Sequence, residues 1–334
     1  MRKFGVTLIL ITILSICGCG SKPQSNEKVE PKARYLYPDD YMADPAAHVF
    51  NGRVYIYPSH DWRSGITDNS SGGAFVMKDY HVFSMDDVEK GEVTVHGKIL
   101  DLNDIPWAVK QLWDNDVAFK NGKYYMYFPA RDKDNVFRIG VAIADRPEGP
   151  FVAEKEPIKG SFSIDPCAFE DNGTYYLYFG GSGSKPEGLS SSLARVVKLS
   201  DDMLQFAEEP RPVVLLNKNG KPIGDLSAQF FEASWMHKYN GKYYFSYSTG
   251  NTHRLCYATG DNPYGPFTYQ GIILTPVVGW TTHHSIVEFK GKWWLFFHDS
   301  RPSGGVDWLR SMKVIELNYN EDGTIQTIKG GGYW

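Results

Sequence analysis

The chain has 334 residues, with 35 Lys and Arg against 39 Asp and Glu, a formal net charge of −4 and 15% aromatic residues. The charges are balanced and form no block of one sign, which excludes the basic surface that nucleic-acid binding requires. Beyond Cys19 only Cys167 and Cys256 remain. That number excludes a disulfide scaffold and predicts two free, buried thiols.

The N-terminus has the features of a bacterial export signal. Arg2 and Lys3 precede an apolar stretch over residues 4–17 that is shorter than a comfortable membrane span. The run Ile16-Cys17-Gly18-Cys19 resembles the lipobox of bacterial lipoproteins, whose signal peptidase cuts before a lipidated cysteine. The resemblance implies a signal peptide over residues 1–18 and lipidation of Cys19, and an ordinary cleaved signal is the alternative. We expect an exported protein anchored by lipid to a bacterial membrane, on the periplasmic face or the cell surface.

A polar segment follows and separates this signal from the folded part of the chain. Residues 19–36 are rich in Ser, Lys, Glu and Pro and are predicted to be a flexible tether. Downstream of it, five segments repeat one pattern: an apolar strand, a turn on Asn-Gly or Lys-Gly, and a second strand with alternating aromatic residues. Asn-Gly readily adopts the positive φ angles that a two-residue hairpin turn needs. The turn glycines are Gly52, Gly122, Gly173, Gly241 and Gly291.

Further strand-like runs lie between the hairpins, for example over residues 137–144 and 312–317. Four strands per repeat is the content of one propeller blade, and five long repeats favour a propeller over a solenoid or a two-sheet sandwich. We therefore predict an all-β protein in which residues 37–334 form a single five-bladed β-propeller. Its four-stranded antiparallel blades surround a central channel.

A polar side chain stands at the same place in every repeat. The innermost strands of a propeller converge on the channel, so residues at the starts of these strands lie close together. The positions are Asp44, Asp116, Asp165, Glu232 and the adjacent pair His283 and His284. A single Asp before Pro is usually a turn-stabilising residue, but recurrence in all five repeats favours a functional site.

Carboxylates that face one another across a pocket are typical of glycoside hydrolysis. One protonates the leaving oxygen, and another activates water or attacks the anomeric carbon. The acid keeps its proton near neutral pH through burial or through a neighbouring carboxylate. The high aromatic content fits a sugar-binding pocket, because ring faces pack against the C–H faces of sugars. The expected partner is an oligosaccharide or polysaccharide.

Four motifs resemble the successive motifs of glycoside hydrolase family 43. They are Ala43-Asp44-Pro45, Ile164-Asp165-Pro166, Phe231-Glu232-Ala233 and His283-His284-Ser285-Ile286-Val287. The resemblance extends from about Tyr37 to the C-terminus. It implies a five-bladed propeller that hydrolyses arabinose- and xylose-containing glycans with inversion, releasing pentose from oligosaccharides of plant or algal polysaccharides. Xylose and arabinose both remain candidate products.

The same resemblance assigns roles to three carboxylates. It implies that Asp44 is the general base, that Glu232 is the general acid, and that Asp165 orients this acid and modulates its pKa. It also places His283 on the channel axis, where that residue binds water or a calcium ion. Arg310 resembles the arginine that hydrogen-bonds the sugar in the terminal subsite.

Other polar and aromatic residues near these motifs are expected to bind substrate: His60, Asp61, Trp113 and Asp116. No cofactor is required for the reaction, and calcium would have a structural role. A zinc site built from His283 and His284 is disfavoured, because adjacent residues of a strand point to opposite faces.

Two motifs depart from the family pattern. The family's Trp-Ala-Pro-Asp is Trp113-Asp114-Asn115-Asp116 here, and its Glu-Gly-Pro or Glu-Ala-Pro is Glu232-Ala233-Ser234. Neither departure changes the three predicted catalytic carboxylates. We expect them to alter the wall of the pocket, and with it the choice of sugar, rather than the reaction.

Two other classes of protein are alternatives. A non-catalytic glycan-binding propeller would be expected to lack at least one of the three carboxylates. In a retaining, fructan-active propeller, Asp44 would attack the sugar directly, and its separation from the acid would be about 5 Å instead of about 6.5–9.5 Å.

Overall fold

The computed structural model describes residues 32–66, 72–181, 193–250, 252–280 and 282–332, together with Met1. Over these ranges the chain forms 21 β-strands and three short 3₁₀ turns, and it contains no α-helix. No helix in this part of the chain is therefore long and apolar enough to cross a membrane. The predicted signal peptide, Cys19 and most of the predicted tether lie outside the described residues.

The strands form five sheets, which are the blades of the predicted propeller. Blade 1 contains β2 (Met42–Phe50), β3 (Arg53–Asp61), β4 (Met77–Met85) and β5 (Thr94–Asp101). Blade 2 contains β6 (Asp116–Lys120), β7 (Lys123–Arg131), β8 (Phe137–Ala144) and β9 (Val152–Ala153). Blade 3 contains β10 (Cys167–Asp171), β11 (Thr174–Phe179), β12 (Arg195–Lys198) and β13 (Arg211–Pro212). Strands follow one another antiparallel in each of these blades.

The last two blades depart from the order of four consecutive strands. Blade 4 contains β15 (Glu232–Tyr239), β16 (Lys242–Ser248), β17 (Leu255–Gly260) and β18 (Phe267–Leu274), and the short β14 (Leu215–Leu216) adds a fifth, parallel strand at its outer edge. Blade 5 contains β19 (His284–Phe289), β20 (Lys292–Asp299) and β21 (Ser311–Leu317), and its fourth strand is β1 (Arg34–Tyr35).

Strand β1 changes one predicted boundary. Arg34 pairs with Val314 of β21, and Leu36 is buried. The propeller therefore begins a few residues before residue 37, inside the segment that the composition assigns to the tether. Pairing the first strand with the last blade joins the two ends of the propeller through backbone hydrogen bonds, which polar composition alone does not reveal.

The inner strands β2, β6, β10, β15 and β19 form a closed ring, since each contacts the next and β19 contacts β2. The hairpin turns that lead out of this ring have the predicted backbone. Asn51 and Gly52 have φ angles of 53° and 75°, and Lys290 and Gly291 have 53° and 77°. Each turn thus fixes the register of its blade locally.

Hydrophobic packing lies mainly between neighbouring blades. Tyr57 of blade 1 packs in one cluster with Val117 and Phe128 of blade 2, and equivalent clusters fill the other junctions. Burial of one such aromatic side chain contributes about 1.5–3 kcal/mol. Cys167 and Cys256 are free and buried, as predicted, and burial raises the pKa of the Cys167 thiol well above its ordinary value.

Candidate active site

The three predicted catalytic carboxylates lie at irregular points of the inner strands. Asp44 and Asp165 have φ angles of 50° and 58°, and Ala233, which follows Glu232, has 67°. The pairing register of the inner hairpin also shifts between Ala43 and Ala46, and again between Glu232 and Trp235. Left-handed backbone costs about 1–2 kcal/mol at a non-glycine residue, so the surrounding hydrogen bonds must hold it.

Asp44 is a buried carboxylate held by cationic and hydroxyl donors. Arg310 donates from Nη1 to Oδ1 at 2.7 Å and from Nη2 to Oδ2 at 3.1 Å. Ser59 Oγ donates to Oδ2, and the backbone N–H of Asp44 donates to Nδ1 of His298 at 3.0 Å. These partners come from blades 1 and 5, so Asp44 lies at the junction of the first and last blades.

The charge of Asp44 follows from these contacts. Burial by itself would raise the pKa of Asp44, but the Arg310 guanidinium, helped by His298, His283 and Ser59, lowers this pKa to about 2. Asp44 is therefore ionised at neutral pH. This is the state that a general base needs.

Arg310 is itself held by a second carboxylate. Asp61 accepts from Arg310 Nε at 2.8 Å, from Nη2 at 2.7 Å and from the Arg310 backbone N–H at 2.8 Å. Together with the bonds to Asp44, four of the five guanidinium N–H groups are engaged by carboxylates of the described residues. Asp61 thus contacts Arg310 through both carboxylate oxygens and positions it, whereas the sequence indicated a direct contact with substrate.

Asp165 connects the third blade to the strand that carries Glu232. Its Oδ2 atom accepts from the backbone N–H of Ala233 at 2.8 Å and lies 3.3 Å from Nε2 of His283. Glu232 opens β15, is half-buried and pairs with Ser248. Asp165 therefore holds the residue directly after Glu232.

Glycine is required where the chain passes Glu232. A Cβ atom on Gly181 would lie 2.6 Å from Cγ1 of Ile164 and 3.3 Å from Cβ of Glu232, and Gly181 has a φ of 156°. Contacts under 3 Å are not tolerated, so the close approach of this segment to Ile164, which precedes Asp165, requires a residue without a side chain.

A second buried carboxylate, Asp114, lies beside His283, and sequence reasoning missed it. Nε2 of His283 lies 3.4 Å from Asp114 Oδ2 and 3.3 Å from Asp165 Oδ2. Burial alone would lower the pKa of His283, but the two carboxylates raise this pKa to about 10. The available signal was the departure at residues 113–116, where the chain has an acidic residue in place of the family's alanine.

The three side chains Asp114, Asp165 and His283 could hold a cation. Their ligand atoms lie within 4.8 Å of one another, and the buried Nε2 of His283 faces both carboxylates. Two carboxylates favour a hard cation such as calcium over a softer transition metal. The neighbouring His284 does not join this cluster, because its Nε2 is hydrogen-bonded to Ser246 Oγ at 2.6 Å.

One protein family matches most of the chain. The family model described as Glycosyl hydrolases family 43 matches residues 42–325. The chain belongs to glycoside hydrolase family 43. It is 62% identical over 322 residues to a xylosidase/arabinosidase of Bacteroides ovatus, with 90% of this chain and 99% of that protein covered.

Two solved structures show the same propeller. RS223-Beta-xylosidase has a TM-score of 0.86 and 64% identity, covering 90% of this chain and 99% of the other. CoXyl43, a β-xylosidase/α-arabinofuranosidase from a compost microbial metagenome, is described in complex with xylotriose in a calcium-free form. It has a TM-score of 0.86 and 54% identity, with the same coverage of 90% and 99%. The predicted fold, family and glycosidase activity are thereby confirmed.

Two residues of this family 43 glycosidase differ in position from the expectation. Asp116 is buried and uses both oxygens between blades: Oδ1 lies 2.5 Å from His48 Nε2, and Oδ2 accepts from Ala168 N at 2.7 Å. The ring nitrogens of His60 contact Asp79 and Asp40. These contacts turn both side chains toward residues other than the carboxylates of the channel. Successive residues of a strand point to opposite faces, so a place at the end of an inner strand does not by itself direct a side chain into the channel.

Trp113 reaches the site indirectly. Its Nε1 donates to the backbone carbonyl of Phe75 at 3.0 Å, and the Phe75 ring lies 5.2 Å from the guanidinium carbon of Arg310. Trp113 thus positions the segment that covers Arg310. Phe75 is a further site residue that sequence reasoning missed, since it belongs to a connection between strands and to none of the five repeats.

Proposed function

We propose that this family 43 glycosidase releases a pentose, xylose or arabinose, from oligosaccharides and acts with inversion. The observation that carries the proposal is the buried Asp44 carboxylate, kept ionised by Arg310, together with Asp165, which holds the residue directly after Glu232. Similarity to proteins described as a xylosidase/arabinosidase and as a β-xylosidase supports the choice of sugar. The complex of CoXyl43 with xylotriose supports a short xylo-oligosaccharide as substrate.

In this proposal each carboxylate has one task. Asp44 takes a proton from water while the water oxygen bonds to the anomeric carbon. Glu232 gives its proton to the glycosidic oxygen as the carbon–oxygen bond breaks, so the proton gained by Asp44 balances the proton lost by Glu232. Asp165 is a positioning residue, because it holds Ala233 and places negative charge near the acid, which favours retention of the acid's proton.

The arrangement of donors also supports a cation at Asp114, Asp165 and His283, with calcium as the best match. A bound cation would supply positive charge on the channel axis. If so, removal of divalent ions with a chelator should lower the melting temperature or the activity, and calcium should restore it. An Asp114→Asn variant should bind calcium at least about tenfold more weakly than the wild-type protein.

The reaction is tested with a panel of para-nitrophenyl pentosides and hexosides, followed by NMR of the first anomer released. We expect hydrolysis of a β-xyloside or an α-L-arabinofuranoside with the opposite anomer appearing first. Retention of configuration would favour a nucleophilic Asp44. Failure to hydrolyse any member, with binding of xylo-oligosaccharides intact, would favour the non-catalytic alternative.

We propose further that the protein is exported and lipid-anchored, on the support of the N-terminal sequence alone. The wild-type protein should then appear in the membrane fraction with a lipidated Cys19 at its N-terminus, as measured by mass spectrometry. A Cys19→Ala variant should leave that fraction. An unchanged distribution of this variant would reject the lipid anchor.

A further inference from the structure

A second group of potential metal ligands lies on blade 1, apart from the cluster at His283. Asp79 and His81 are two residues apart on β4, so their side chains share one face of the sheet. Antiparallel pairing of β3 with β4 brings His60 beside them. Nδ1 of His60 lies 2.9 Å from Asp79 Oδ1, and Nε2 of His81 lies 3.2 Å from Asp79 Oδ2. We call these three residues the blade 1 cluster.

Neighbouring groups orient the blade 1 cluster. Oδ2 of Asp40 lies 3.2 Å from Nε2 of His60, and Nε1 of Trp62 donates to Oδ1 of Asp79 at 2.9 Å. In the tautomer whose Nε2 donates to Asp40, Nδ1 carries no proton and can coordinate an ion placed between it and Asp79. Metal-binding histidines commonly have such an outer carboxylate on their second nitrogen, and metal-binding carboxylates are commonly hydrogen-bonded themselves.

Burial and charge also suit a metal ion. The side chains of His60, Asp79 and His81 are 13%, 8% and 18% exposed, so the cluster is largely enclosed but reachable from solvent. The carboxylates of Asp79 and Asp40 lie beside the imidazole of His60 and supply two negative charges, which match a dication. The ligand atoms of the cluster lie within 4.8 Å of one another, close enough to converge on one ion after small side-chain movements.

We propose that His60, Asp79 and His81 bind one divalent transition-metal ion, with zinc as the best match. Two imidazoles and one carboxylate favour zinc, nickel or cobalt over calcium or magnesium. Three protein ligands plus one water complete a tetrahedral zinc site. The site also adjoins the catalytic machinery along the chain, since His60 lies between Ser59, which donates to Asp44, and Asp61, which holds Arg310. An ion at this site stabilises the end of β3.

Zinc binding by the purified, chelator-treated protein tests the proposal. Isothermal titration with zinc chloride is carried out in a His283→Ala background, which removes the cation cluster of the channel. In this background we expect one zinc ion per chain. Adding His81→Ala should weaken binding at least about 100-fold, because one of three ligands is lost, and adding Asp40→Asn should weaken it about 10-fold to 100-fold.

His96→Ala is the matched control. His96 is another partly buried histidine of blade 1, and its Nε2 is hydrogen-bonded to Ser84 Oγ at 2.7 Å outside the blade 1 cluster. Its removal should leave zinc affinity unchanged. Zinc should also raise the melting temperature of the background protein but not of the His81 variant. If His81→Ala does not fold, His81→Gln replaces it, since the amide still donates to Asp79. Equal affinity within about threefold with and without the His81 imidazole would show that these residues form ion pairs only.

Discussion

Asp44 and Asp165 share an Asp-Pro dipeptide and a similar place in their blades, but have different surroundings. Each precedes a proline at the start of an inner hairpin, each is buried, and their φ angles are 50° and 58°. Asp44 contacts Arg310 and Ser59. Asp165 instead contacts the backbone N–H of Ala233 and the imidazole of His283.

The difference shows that the Asp-Pro motif places a buried carboxylate at the start of an inner hairpin. Residues distant in the sequence then determine the pKa of that carboxylate and its contacts. Arg310 is 266 residues away from Asp44 in the chain, and its cation outweighs the effect of burial on the pKa of this carboxylate. Asp165 instead holds the backbone beside Glu232. The following predictions test this distinction.

The largest effect is expected for Asp44→Asn. Because the amide cannot accept a proton, kcat should fall about 10³-fold to 10⁴-fold with little change in KM. Asp165→Asn keeps the catalytic pair and should lose less, about 10-fold to 100-fold. Steady-state kinetics on a para-nitrophenyl pentoside measures both, with circular dichroism as the control for folding. An Asp44 variant that retains more than about a tenth of the activity would contradict its assignment as base.

Glu232→Gln should show a loss that depends on the leaving group. On xylo- or arabino-oligosaccharides, which leave as basic alkoxides, we expect a loss of about 10²-fold to 10⁴-fold. On a dinitrophenyl pentoside, which needs little protonation, the loss should be under about tenfold. Asp44→Asn is the comparison and should lose both activities about equally. Equal losses on both substrates for the Glu232 variant would exclude it as the proton donor.

Replacement of Arg310 should raise the pKa of Asp44 and destabilise the folded protein. Arg310→Gln leaves two buried carboxylates without their cation and should lower the free energy of unfolding by about 3–5 kcal/mol. The pKa of Asp44 is lowered to about 2 in the folded state. The contribution of this lowered pKa to the free energy of unfolding is therefore fully present above the pKa that Asp44 has in the unfolded chain. It is lost as pH falls through the pKa of Asp44 in the folded state.

The pH profile of the same variant provides the sharper measurement. Without the guanidinium, burial raises the pKa of Asp44, so the acid limb of kcat/KM should move upward by at least about one pH unit. Arg310→Lys retains the positive charge and should move this limb less. An acid limb that stays in place in both variants would mean that Arg310 does not control the ionisation of Asp44.

Asp165→Asn should move the alkaline limb of the pH profile to lower pH, by roughly one unit, because the acid loses a neighbouring negative charge that helps it keep its proton. Calcium should be held at a constant concentration, since Asp165 also belongs to the possible cation cluster. An unmoved alkaline limb would restrict Asp165 to orienting the acid through Ala233.

The smallest effect on activity is expected for Asp116→Asn. Its carboxylate bonds His48 and Ala168 between blades, so the variant should lose about 1–3 kcal/mol of stability in denaturant unfolding while kcat/KM stays nearly constant. A large loss of kcat/KM with unchanged stability would instead support the prediction that Asp116 binds substrate.

The hairpin turns and the places of the three predicted catalytic carboxylates at the starts of inner strands were predictable from the sequence because they depend on local chemistry. Asn51-Gly52 adopts positive φ angles through its own residue types, and five copies of such a turn identify the blades. Asp44, Asp165 and Glu232 were found because they recur at the start of these hairpins. Their roles came from resemblance to family 43.

Only the tertiary structure decided which side chains face each carboxylate. Asp116 occupies the same repeat position as Asp165, yet its oxygens bond His48 and Ala168. Asp61 holds Arg310, and Asp114 reaches His283, through contacts between distant parts of the chain. Strand alternation and blade packing determine these partners, and both depend on register and closure of the whole ring, which no short motif specifies.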